Sequence, residues 1–301
     1  MEISIIIPTY NRLKILKKVL YALNRQSYNL KRTEVLILDD HSDTNPKSEI
    51  LKIKNKFRYK LRFFRLKKNM GQGKVRNQAI KLARGKYLFF LGDDTIPKEN
   101  LIKEHMELHN KYRGIAVLGR VFWHNSLRNE FMNYIEKIQF HYNTIKDKND
   151  VKLHFYTSNI SLEKSWFKDE EYSKEFKNYG FEDLELGYRL EKKGLRVVYN
   201  PNAIVYHFHP YTFEQFCKRM RNVGRSVVIF TKIHPELKKK YILPFHNAFK
   251  LGSFVLSNKF FEYINKKVYW YSNFVYNYLI GIEEELENVE KPESICSFLN
   301  I

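Results

Sequence analysis

The sequence predicts a mostly parallel α/β sheet flanked by helices, followed by a helical carboxyl-terminal region. Two observations carry that reading. Short, mainly apolar runs alternate with segments whose apolar residues recur at helical spacing, the pattern of strand–helix–strand crossovers. Two of those runs stop abruptly on paired carboxylates, Asp39-Asp40 and Asp93-Asp94. In open α/β sheets ligands bind just beyond the carboxyl ends of the strands, so both pairs are expected at one edge.

The first run, residues 3–8, ends at Pro8 and reads as a buried parallel strand. Leu13, Leu16, Val19, Leu20 and Leu23 then share one helical face, with Asn11 placed as its N-cap. Residues 34–38 form a second buried run before Asp39 and Asp40, and residues 61–66 a third. Val75, Ala79, Ile80 and Ala83 mark the next helix, with Gly85 as its stop. Residues 87–91 are the fourth strand, and Gly92-Asp93-Asp94-Thr95 before Pro97 is turn chemistry.

Residues 115–121 read as a fifth strand. Residues 128–142 read as a helix with Phe131, Ile135, Ile138 and Tyr142 on one side. Thr157, Ser158 and Asn159 are small polar residues set in a strand-like run over 155–162. A helix opens near Glu182 with Asp183 and Glu185 in its first turn, where the positive end of the helix dipole favours acids. Short strands at 197–199 and 203–207 flank Asn-Pro-Asn, the second ending on His207-Phe208-His209.

From Tyr211 the chain is helical by pattern, aromatic and basic, with breaks at Pro235 and Pro244. This divides it into an α/β domain over 1–210 and a helical region over 211–301. Residues 268–282 are strongly apolar but too short and too Asn-punctuated to span a bilayer, and fit a packing helix. Residues 283–293 read as a solvated acidic tail.

The net charge of +20 is uneven: residues 51–92 hold fourteen Lys or Arg and no acid. Such a surface favours polyanions, among them nucleic acid, anionic lipid head groups and phosphorylated substrates. No zinc spacing, RNA-binding aromatic signature or recognition helix points to nucleic acid. Gly71-Gln72-Gly73-Lys74 is not a P-loop, because Lys68 and Val75 stand where Gly and Ser or Thr are required. A Gly-rich turn opening a helix still accepts an anion. Cys217 and Cys296 are far apart and lack metal-ligand spacing, which fits a reducing compartment. With no basic n-region and no long apolar run at the start, the expected location is the cytoplasm, with peripheral contact at an anionic inner membrane face as a second element of that reading.

Two like charges at the end of a buried strand repel and raise each other's pKa. A hard divalent cation that takes carboxylate and phosphate oxygens relieves this. Asp93 and Asp94 are therefore expected to hold a metal–diphosphate unit.

Five segments sharpen the expectation: Ile5-Ile6-Ile7-Pro8-Thr9-Tyr10-Asn11-Arg12, Leu38-Asp39-Asp40-His41-Ser42, Asn69-Met70-Gly71 with Arg76-Asn77, Phe90-Leu91-Gly92-Asp93-Asp94, and Glu182-Asp183. Taken together over residues 3–210, they resemble the family 2 glycosyltransferases with the GT-A fold, a Rossmann-like sheet. The resemblance implies inverting transfer of a sugar from a nucleoside-diphosphate donor, a UDP-sugar, to a hydroxyl of a glycan or lipid-linked acceptor, with Mn2+ or Mg2+ as cofactor. It implies that Asp39 accepts a hydrogen bond from the nucleobase and that Thr9 lines the base pocket, with Asp40 orienting the loop. Pro8, Tyr10, Arg12, Gly71 and Glu182 join the donor site, and Arg76 assists at the diphosphate. By the same resemblance Asp94 is the metal ligand, Asp93 contacts ribose or sugar, His207 is a third metal-side ligand with His209 as its alternative, and Asp183 is the catalytic base. Gly92 stands where the family often has an Asp, which leaves fewer acids for the metal.

The chemistry agrees with these roles. A departing diphosphate needs its charge stabilised, and an acceptor hydroxyl needs a carboxylate to take its proton. The alternatives are a basic nucleic-acid-binding protein and a metal-dependent nucleotidyltransferase. The latter carries a Gly-rich basic signature after the first strand, where Pro8-Thr9-Tyr10-Asn11-Arg12 stands here.

Overall fold

A computed structural model describes residues 1–176, 179–242 and 246–289. Pro244, Cys296 and the last part of the acidic run lie outside the described residues. The chain forms two compact units: Met1–Ser173 with Asp183–Pro210, and Lys174–Glu182 with Tyr211–Ile301.

The first unit is built on one sheet. In chain order its elements are β1 (Ile3–Thr9), α1 (Leu13–Asn24), β2 (Thr33–Asp39), α2 (Lys47–Ile53), β3 (Lys60–Arg65), α3 (Gln72–Leu82), β4 (Tyr87–Leu91), β5 (Thr95–Pro97), α4 (Leu101–Lys111), β6 (Ile115–Trp123), α5 (Glu130–Gln139), β7 (Asn159–Glu163), α6 (Glu182–Lys192) and β8 (Arg196–His207). The eight strands lie in the order β3-β2-β1-β4-β7-β6-β8-β5. Strands β3, β2, β1 and β4 run parallel, as do β6 and β8, while β7 and β5 pair antiparallel with their neighbours.

The central strands are apolar without alternation because both sheet faces are covered. Ile5 and Ile7 of β1, Val35 and Ile37 of β2 and Phe89 of β4 point to the face covered by α1 and α4. Ile6, Leu36, Leu38 and Phe90 point to the other, under α3 and α6. Fully burying such a side chain is worth about 1.5–3 kcal/mol. One charge is buried with them: Glu34 accepts from Ser4 Oγ (2.6 Å), Arg84 N (2.7 Å) and Arg62 Nη1 (2.9 Å).

Several local expectations change. Asn11 does not cap α1. Arg12 holds that position with no side-chain cap bond, and Asn11 sits at φ 56° with its amide on Asp43 (2.9 Å). Gly85 is not a helix stop, since α3 ends at Leu82. A Cβ there would lie 2.5 Å from Ser4 N, so its role is to let the chain pass β1 closely. The strand-like run over 155–162 pairs only from Asn159 onward. The two short strands around Asn-Pro-Asn are one strand, β8, whose register against β6 shifts between Gly119 and Arg120. Helix α5 stops at Gln139, short of Tyr142, and buries Met132 and Ile135.

The second unit is helical: α7 (Phe213–Ile233), α8 (Lys238–Tyr241), α9 (His246–Leu256), α10 (Lys259–Ile264) and α11 (Lys266–Val289). Thr212 and Gln215 form a capping box at the start of α7. Helices α7 and α11 cross on a pair of glycines. A Cβ on Gly224 would lie 2.0 Å from Tyr278 O, and one on Gly281 would lie 1.9 Å from Arg221 O. The acidic run is not a loose tail up to Val289: it forms the last turns of α11, where Glu284 binds Arg221 and Arg225 and Glu283 binds Lys250. Among the described residues no helix is long and apolar enough to cross a membrane.

Candidate active site at the carboxyl edge of the sheet

Parallel β1, β2 and β4 all end at one edge, and three groups of predicted residues gather there. The first is the turn after β4. Thr9, the last residue of β1, donates from Oγ1 to Asp93 Oδ2 (2.7 Å). Arg12, just past the end of β1, reaches both acids with one guanidinium nitrogen: Nη1 lies 3.2 Å from Asp93 Oδ1 and also bonds Asp94 Oδ2. The chain then reverses into β5, which pairs antiparallel with β8 so that Thr95 faces His207. That register brings His207 Nε2 to 3.5 Å from Asp94 Oδ1. Phe208 N donates to Asp94 O (2.7 Å), and Trp123 stands edge-on to the imidazole at 4.7 Å.

The two neighbouring acids are unequal. Burial, and then the charge of Asp94, push the Asp93 carboxyl well above the ordinary range. Burial acts the same way on Asp94, but His207, Arg12 and His209 outweigh it and hold that carboxyl below its usual value. Of the two, Asp94, paired with the Arg12 guanidinium, is the acid held toward its charged form. Gly92 leaves little room for a third acid, since a Cβ there would sit 3.0 Å from Asp94 Oδ1.

The second group is the acid pair after β2. Asp39 is fully buried. It accepts from Ser42 N (3.2 Å) and Ser42 Oγ on Oδ1 and from Arg65 Nη1 (2.9 Å) on Oδ2, which leaves a lone pair on Oδ2 for a further donor. Asp40 accepts from Met70 N (2.7 Å) and Gly71 N (3.0 Å), fixing the loop that opens α3, where Gly71 adopts φ 83°. The first two groups touch: Asn11 N donates to Ser42 Oγ (2.8 Å), and Asp40 N to Thr9 O (2.8 Å).

The third group is at the start of α6. Asp183 Oδ1 accepts from Leu184 N (2.9 Å), and Oδ2 accepts from Thr157 N (3.3 Å). Thr157 precedes β7, whose first residue Asn159 pairs with Leu91, the last of β4. Asp183 is thereby tied to the same edge as Asp93.

The remaining predicted residues lie as follows. Pro8 is inside β1. Tyr10 is exposed, with its hydroxyl 3.5 Å from Asp43. Arg76 is buried on α3, bound to Gln72 (2.8 Å) and placed over the Tyr172 ring. Glu182 belongs to the second unit and accepts from Gly180 N (2.9 Å). Sequence reasoning missed Arg65 and quoted Ser42 in its motif without giving it a role, although both are partners of Asp39. A basic residue ending β3 in register with Asp39 was the available signal.

The donor set fits a divalent cation. Two ligands held at about 2.1 Å from one ion at right angles stand about 3 Å apart, close to the Asp94–His207 spacing. Among the described residues no third His, Cys, Asp or Glu completes a cluster, so phosphate and water would supply the rest, as magnesium prefers.

A curled α/β sheet with acid-ended strands at one edge and a helical carboxyl-terminal region is the GT-A architecture of glycosyltransferases. Residues 4–170 match the Glycosyl transferase family 2 profile, and residues 88–281 match that of Glycosyl transferase family group 2. The chain belongs to glycosyltransferase family 2 and is a glycosyltransferase. It is similar to the poly(ribitol-phosphate) beta-N-acetylglucosaminyltransferase TarP of Staphylococcus aureus, 29% identical over 40% of this chain and 36% of TarP. The matched part is thus about a third of that relative's length. Among solved structures, the mannosyltransferase PcManGT of Pyrobaculum calidifontis, in complex with GDP-Man and Mn2+, superposes with a TM-score of 0.70 at 13% identity, covering 96% of this chain and 88% of its own. S. aureus TarS 1-349 in complex with UDP-GlcNAc superposes at 0.55 with 19% identity, covering 96% and 92%.

Proposed function

We propose that this glycosyltransferase moves a sugar, with inversion, from a nucleoside-diphosphate donor to a hydroxyl of a glycan or lipid-linked acceptor. The observation that carries the reading is the convergence of Thr9, Arg12 and His207 on the Asp93-Asp94 turn. It leaves one carboxylate charged beside an imidazole at the edge where nucleotides bind. Asp94 and His207 would hold Mn2+ or Mg2+. The ion would supply charge neutralisation to the departing diphosphate.

Asp183 takes the acceptor proton on its carboxylate as the acceptor oxygen attacks the anomeric carbon, while the bond from that carbon to the diphosphate oxygen breaks on the opposite face. Thr157 orients that carboxylate. Asp39 receives the nucleobase, Asp93 faces the ribose or sugar, and Gly71 and Arg76 stand on the diphosphate side. TarP and TarS, which act with N-acetylglucosamine, favour UDP as the nucleotide. The helical region over 211–301 is assigned to the acceptor, and the enzyme to the cytoplasmic side of a membrane.

A panel of nucleotide sugars scored for nucleoside-diphosphate release, with manganese, magnesium or a chelator, tests the reading. Release is expected from one UDP-sugar and should vanish with chelator. No release from any donor, with acceptor mixtures present, overturns it.

A further inference from the structure

Eight of the fourteen large apolar side chains exposed among the described residues fall between residues 251 and 271, in the second unit. On α9 they are Leu251, Phe254 and Val255, each at least half exposed. On α10 they are Phe260 (65%), Tyr263 (91%) and Ile264 (64%), and on α11 Val268 and Tyr271. Each set recurs at i, i+3 and i+4, or i and i+3, the spacing that puts side chains on one helical face. No residue of α10 is buried, while the inner side of α11 is apolar, with Tyr269, Trp270, Phe274 and Leu279. Ser253 is buried on α9, and Ser272 is buried beside exposed Tyr271 on α11. Helices α9 and α10 thus hold apolar side chains outward, and α11 adds Val268 and Tyr271 beside its buried apolar face.

They also belong together. α11 packs against both α9 and α10, with Asn273 Nδ2 on Ser257 O (3.3 Å) and the Phe254 and Tyr276 rings 5.6 Å apart. Lys259, Lys266 and Lys267 stand exposed among the apolar side chains, against one acid, Glu262.

We propose that the outward faces of α9, α10 and the first turns of α11 form a docking surface that lies in the interface of an anionic lipid bilayer. Exposed aromatic and aliphatic side chains with interleaved lysines suit that interface, where the rings enter the head-group layer and the ammonium groups meet lipid phosphate. A second copy of the chain suits it less, because a two-fold contact sets the patch against itself, and a patch with three lysines to one acid then meets like net charge. No helix among the described residues crosses a membrane, so the contact is one of surface seating. The inference is independent of the donor chemistry, since vesicle binding is read without nucleotide sugar.

The test is flotation of the full chain with vesicles of phosphatidylcholine alone or mixed with phosphatidylglycerol, at low and high salt. Binding is expected with the anionic vesicles only, weakened at high salt. Lys259→Glu and Lys266→Glu should each reduce it by about five-fold or more, the effect of one basic residue near such a surface. Phe260→Ser with Tyr263→Ser should abolish it while the melting temperature stays unchanged, because neither side chain is buried. Absence of binding at low salt overturns the proposal, as does equal binding to the neutral vesicles. Binding that survives the double aromatic substitution places the contact elsewhere and overturns it too. A dimer in sedimentation velocity that is lost with that substitution assigns the surface to a second copy instead.

Discussion

The carboxyl edge of the first unit and the outer faces of α9–α11 break the rules of burial in opposite directions. At the edge, Asp39, Asp93 and Asp94 are charge-bearing groups nearly shut off from water. On α9–α11, aromatic and aliphatic side chains are left in it. The edge carries its cost through partners: each acid has a hydroxyl, a guanidinium, an imidazole or a backbone N–H within reach. The helices have no such local remedy, because an exposed apolar face is satisfied only by something outside it. Polar groups at a site are thus arranged from within the fold, and apolar groups at a surface await a partner.

The largest expected effect sharpens the first half of that comparison. Asp183→Asn keeps the shape and the Thr157 contact but cannot take a proton, and should lower transfer by about 10²–10⁴-fold. Asp94→Ala should instead weaken cation-dependent binding of the nucleotide. Isothermal titration beside a turnover assay separates the two. An active Asp183→Asn variant removes the catalytic assignment.

A second, smaller effect concerns buried groups that must stay neutral. His105 bonds Ser161 Oγ (2.8 Å) and Asn159 Oδ1 (3.0 Å), and His109 shares that serine (2.8 Å). Burial pushes the two imidazoles down, to about 3 and about 4. Their folded pKa values lie below the unfolded value of about 6.5, so the unfolded chain binds more protons in the window between. Stability is therefore full above about pH 6.5 and falls as the pH drops toward 4, by about 2 kcal/mol per histidine at pH 5. Urea unfolding at pH 7.5 and pH 5 should show the loss, and His105→Gln should flatten that slope. An unchanged slope would mean that other groups carry the acid sensitivity.

The smallest effect tests the second unit. Gly224→Val puts side-chain atoms where Tyr278 O lies and should cost about 1–3 kcal/mol, read as a lower melting temperature. If the value is near zero, the α7–α11 crossing is looser than the glycine pair implies.

Much of this architecture is written locally. Runs such as residues 35–38 and 87–91 are apolar throughout because both faces of their strands are covered, and acids directly after them mark the edge where ligands bind. Asn11, Gly85 and the acidic run misled for a shared reason: each has a plausible local role that a distant partner overrides. Asp43 takes Asn11, Ser4 crowds Gly85, and Arg221 with Arg225 draws Glu284 into a helix.

The sequence by itself determined the class of fold, the acid-ended strands and the order of the motifs, because strand burial and turn chemistry act over a few residues. Only the tertiary structure made the two acids unequal, raising the Asp93 carboxyl and lowering that of Asp94. Arg12 and His207 lie far from Asp94 along the chain, and the parallel β1–β4 and antiparallel β5–β8 pairings carry them to it. The same holds for the exposed apolar side chains of α9, α10 and the start of α11, since a helical repeat shows that a face exists and packing alone settles which way it points.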